Sequence, residues 1–123
     1  MTSYTIGGKA YPMVLTLGAM GELDELCGGF EHVGEAFDGK TAMQAIDTAV
    51  KMLAILLRGG YDYSREMGEE PAAVPTEVAL RSLLLPKDFA PLKTAIFQSM
   101  AESMGRTVEV EQDPKNADAT PGQ

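Results

Sequence analysis

Apolar positions follow two different repeats along this chain, and the change from one to the other marks its first boundary. At the start the repeat is two. Tyr11, Met13 and Leu15 share one face of an extended segment. Ser3 to Ile6 and Ala10 to Leu15 read as two short strands, and Gly7-Gly8 between them supplies the positive φ angles of a tight hairpin turn. Pro12 has no N–H to give to a ladder, so it belongs where that group would face an edge or solvent. From Leu17 the repeat lengthens to three and four. Thr16 is placed to cap a helix with Met20, Leu23, Leu26 and Cys27 on one side, and Gly28-Gly29 closes it. Gly18 and Gly21 weaken this helix in isolation and permit close backbone packing.

Phe30 to Lys40 reads as a linker or irregular turn. Thr41 to Gln44 then matches a capping box. Behind it Ile46, Ala49, Val50, Leu53, Leu56 and Leu57 make a helical core stripe, which Met52 and Ile55 widen until the second half is nearly surrounded. Gly59-Gly60 is expected to stop this helix, and Tyr61 to Gly68 to form a separate short one. Glu69 to Pro75 is a loop. Thr76 caps a short helix carrying Val78, Leu80, Leu83 and Leu84, which Pro86 ends. Asp88 is expected to cap a final helix striped with Phe89, Leu92, Ile96, Phe97, Met100 and Met104.

The pattern predicts a mainly α fold with a short N-terminal β-hairpin (α+β), in which four to five helices pack as a compact bundle. Residues 1–105 form one domain. Residues 106–123 are a polar tail with too little apolar surface to offset its ordering entropy, so the tail is expected to be disordered and dispensable for folding.

Charge changes the picture more than overall composition does. The formal net charge is −8, which disfavours nucleic acid and anionic membranes as partners. Between Glu22 and Asp38 stand six acids and no Lys or Arg, either a solvated face or a docking patch for a basic partner. The longest apolar run, Met52 to Leu57, is far short of a membrane span. Cys27 is alone, so no disulfide can form within the chain, and a reducing cytosol is expected. The opening MTSYTIGG has no secretion signal's basic start and apolar run.

Catalytic chemistry is thinly provided. Cys27 and His32 are the only thiol and imidazole, and neither a nucleophile pair nor a Cys27, His32, Glu35 metal site has the ligands or orienting groups it would need. Gly7-Gly8-Lys9 lacks the pattern of a phosphate loop. Thr76 to Met104 has a helix–turn–helix rhythm, but Leu92 to Met104 offers one Lys and no Arg for reading bases. The expectation is a non-enzyme without metal or cofactor. Eight methionines are an unusual supply of flexible apolar side chains, expected mostly to fill the core.

Gly8, Lys9, Tyr11, Pro12, Thr16, Leu17, Gly18, Ala19, Glu22 and Leu23 spell a Gly-Lys-x-Tyr-Pro strand running into Thr-Leu-Gly-Ala and Glu-Leu. With the later runs AVKMLAILLRGGYDYS and PTEVALRSLLLPKDFAPLKTAIFQSM, this opening resembles the tail assembly chaperones of long-tailed, siphophage-type bacteriophages and prophages. The resemblance covers Tyr4 to Met104. It implies a non-catalytic protein of the host bacterial cytoplasm that binds the tape-measure protein, with tail-tube subunits as a second candidate partner, and that is absent from the finished virion. It leaves self-association open. Alternatives are a structural tail-completion or connector subunit, or a small cytosolic adaptor or regulator.

A partner surface is expected at Leu84, Leu85, Phe97, Met100 and Met104. Three consecutive leucines point about 100° apart on a helix, so Leu83, Leu84 and Leu85 cannot all enter one core. Leu85 either lies at the surface or plugs the turn beneath Pro86.

Overall fold

The computed structural model describes residues 1–105; the expected polar tail lies outside the described residues. Strands β1 (Ser3–Ile6) and β2 (Lys9–Pro12) pair antiparallel, with Tyr4 opposite Tyr11 and Ile6 opposite Lys9. Gly7 and Gly8 adopt φ of 58° and 82°, the left-handed pair that a two-residue hairpin turn demands. Four α-helices follow: α1 (Leu17–Cys27), α2 (Ala42–Glu66), α3 (Glu77–Leu83) and α4 (Phe89–Ser103). Short 3₁₀ turns occupy Phe30–Glu35 and Pro86–Asp88. The fold is thus mainly helical with an N-terminal hairpin, as the repeats predict. No helix among the described residues is long and apolar enough to cross a membrane.

The three threonine caps form as expected. Thr16 Oγ1 accepts from Ala19 N at 3.0 Å and Thr76 Oγ1 from Ala79 N at 3.1 Å. Thr41 and Gln44 bond reciprocally at 3.2 and 3.0 Å, a complete capping box. Asp88 behaves differently. Its carboxylate makes no cap bond to α4; it accepts from Leu85 N at 2.8 Å and ties the turn before the helix.

The centre of the molecule is α2, and it does not stop at Gly59-Gly60. It runs 25 residues to Glu66, absorbing most of the short helix expected from Tyr61. Neither glycine takes a positive φ. Their function is space. The chain after β2 continues extended through Met13, Val14 and Leu15, all buried, and its backbone lies directly on α2 at these two positions. A Cβ on Gly60 would sit 2.0 Å from the Pro12 carbonyl oxygen, and one on Gly59 would sit 2.2 Å from that of Val14. The close packing expected of Gly18 and Gly21 is absent: the nearest atom to a Cβ is 3.8 Å away at Gly18, and nothing lies within 4 Å at Gly21.

A buried extended segment must satisfy its peptide groups, because water cannot. Helices α2 and α4 do so from either side. Val14 N donates to the Leu56 carbonyl at 3.2 Å, and Leu15 N to Ser103 Oγ at 3.0 Å. Ser99 Oγ, with no exposed surface, donates to the Met13 carbonyl at 2.9 Å. The first strand is fastened at the same end of the hairpin: Glu102 Oε1 accepts from Thr2 N at 2.8 Å, and the Thr2 carbonyl accepts from Met13 N at 2.9 Å. Ser99→Ala is therefore expected to cost about 1–3 kcal/mol, since it strands a buried carbonyl. Urea unfolding of the two proteins measures the difference.

Beneath this strap Leu23, Met52, Leu53, Leu56, Leu57, Leu80 and Ile96 are fully buried and make up the centre of the core. Each such side chain contributes on the order of 1.5–3 kcal/mol relative to exposure. The methionines divide more evenly than expected. Met13, Met52 and Met100 are core residues and Met20 is partly buried, but Met1, Met43, Met67 and Met104 are exposed. The expected linker is also partly core. Val33 and Ala36 are buried, and the Phe37 ring meets those of Phe89 and Phe97 edge-on, at centroid distances of 6.2 and 6.0 Å. The Lys93 ammonium lies 4.9 Å from the Phe89 ring centre and adds a cation–π contact.

Candidate partner-binding groove

The capping box starts α2 with Met43, Ile46 and Val50 at helical spacing, and α3 and the start of α4 pack beside that end of the helix. A cleft of about 400 Å³ remains between them. Ile46, Val50, Phe89 and Leu92 line it, Met43 stands on one side, and Leu84 and Leu85 stand on the other. Met43 is 68% exposed and Leu85 54% exposed, so large apolar side chains flank the opening in water. Helix α3 buries only Leu80 and leaves Val78 and Leu83 outside as well. Apolar side chains gathered around a concave opening are the ordinary chemistry of a protein-docking groove.

The five residues expected to form a partner surface do not make one surface. Leu84 and Leu85 meet at the groove. Leu85 is a surface residue, and the turn beneath Pro86 is held by the Asp88 carboxylate, so it is not a plug. Phe97 turns to Phe37. Met100 is 5% exposed and belongs to the core. Met104 is exposed just beyond the last turn of α4, roughly 20 Å along the axis from Phe89 at the ordinary helical rise. Met43, Ile46, Phe89 and Leu92 were missing from the expected set. For Met43 and Ile46 the signal is the apolar stripe of α2 reaching back to Met43, where a solvated helix start needs no core residue; Phe89 and Leu92 open the stripe of α4.

Ion pairs hold the charged margin of the groove. Asp47 on α2 bonds the guanidinium of Arg81 on α3 and lies 3.2 Å from Lys51 Nζ. The Arg81 and Lys51 hydrogen bonds hold the Asp47 carboxyl below its usual range. A carboxyl lowered in the folded state stabilises it above the unfolded pKa and loses that contribution as pH falls through the folded value. All three side chains are about 40% or more exposed, so the contribution is screened to under about 1 kcal/mol. Asp47→Asn should be slightly less stable than the parent at pH 7. The gap should close in acid, below about pH 4 where carboxylates protonate. Paired thermal melts across that range check it.

The acidic block sits elsewhere, on α1 and the following 3₁₀ turn. Glu22 reaches across to Arg58 on α2 at 2.5 Å, and Asp24 Oδ1 accepts from Phe30 N at 2.7 Å. His32 lies 3.6 Å from Glu35 and 3.8 Å from Glu31. Cys27, His32, Glu35 and Lys40 border a separate hollow of about 290 Å³. Burial pushes the Cys27 thiol up, with Lys40 opposing in part, so the thiol is held protonated rather than activated. Among the described residues no three His, Cys, Asp or Glu side chains are grouped to hold a metal ion.

Compared with models of known families, with curated proteins and with solved structures, the chain matches none.

Proposed function

We propose that this protein is a phage tail assembly chaperone that holds an amphipathic helical segment of the tape-measure protein in the groove between α2, α3 and α4. The observation that carries the reading is the exposed apolar rim formed by Met43 and Leu85 over a cleft lined with Ile46, Val50, Phe89 and Leu92. A tape-measure protein is long and largely helical, and apolar helix faces are taken up by grooves of this kind. The strand-to-helix motif from Gly8 to Leu23 supports the family, and the net charge of −8 supports a protein partner over nucleic acid. The chaperone acts in the host cytoplasm, without catalysis or a cofactor, and leaves before the virion is complete. Tail-tube subunits are the second partner to examine.

Two measurements test the proposal together. Pull-down with tape-measure fragments should recover a complex, and purified virions should lack the protein. Its stoichiometric presence in virions would favour a structural tail subunit instead.

A further inference from the structure

We draw no further inference here: the strongest candidate, the outer edge of strand β1, is a strand edge with no pairing strand among the described residues, and nothing in the structure shows what covers it.

Discussion

Gly60→Ala should destabilise the protein by about 3 kcal/mol or more, even though alanine is the better helix former by about 0.8–1.0 kcal/mol. The added methyl would meet the Pro12 carbonyl oxygen at 2.0 Å and its carbon at 2.6 Å. Both are backbone atoms, so no side chain can rotate away. Restoring ordinary contact at 3.4 Å requires strap and helix to part by more than about 1 Å. That displacement strains the Val14-to-Leu56 hydrogen bond and the seat of Met13. Gly59→Ala should act the same way through Val14, whose carbonyl oxygen would lie at 2.2 Å. The control is Gly21→Ala. Position 21 is also helical, and a Cβ there meets nothing within 4 Å. Helix propensity alone should then raise stability by about 0.5–1 kcal/mol. Thermal melts would separate the variants by ten degrees or more, at about 4 °C or more per kcal/mol. Equal melting temperatures for the Gly60 and Gly21 variants would show that the strap does not press on α2.

Leu85→Asp should leave the fold intact and remove partner binding. More than half of the Leu85 surface is already in water, so the new carboxylate stays solvated and stability should change by less than about 1 kcal/mol. In the bound state the same carboxylate would face an apolar helix across the groove, without a partner. Setting an unpaired carboxylate against an apolar partner face typically costs 2 kcal/mol or more, roughly a 30-fold loss of affinity. Met43→Asp on the other side should match it. Met104→Asp, beyond the far end of α4, should bind as the parent does. If Met104→Asp abolished binding and Leu85→Asp did not, the contact surface would lie at the C-terminal end of α4 instead of at the groove.

Local chemistry was legible in the sequence, and distant contacts were not. Thr16, Thr41 and Thr76 each cap through a bond to a residue three positions on, so the sequence pattern contains both partners. The hairpin turn is equally local, because Gly7 and Gly8 answer a torsional demand of their own. Gly59-Gly60 looks like a helix stop by the same local logic. The reason for those glycines is a strap more than forty residues earlier in the chain, whose approach no periodicity reports. One trace was available. Leu53, Leu57, Gly60 and Ser64 keep the spacing of three and four, so the buried stripe passes through the glycine pair without a break.

The candidate site divides along the same line. Leu83 and Leu85 are both exposed, but not for the helical reason: α3 ends at Leu83, one residue short of the expected Leu84, and Leu84 and Leu85 are extended, so the alternation of an extended chain separates them. Which apolar residues of α4 face outward depends on what covers them. Phe37 comes from the apparent linker to cover Phe97, and Met100 goes into the core beside it. Neither event leaves a mark in the stripe of α4 itself. Asp88 is a third case. An acid ahead of a helix reads as its cap, but Pro86 bends the chain so that the carboxylate meets Leu85 N first.

The most direct test of the proposed function is co-expression of the tape-measure protein with this chain or with its Leu85→Asp variant, reading the soluble fraction of the tape-measure protein. The account predicts a several-fold rise with the parent, recovered as a complex, and little or no rise with a variant whose melting temperature is unchanged. Equal solubility with the parent, with the variant and with neither, and no complex on pull-down, would contradict it.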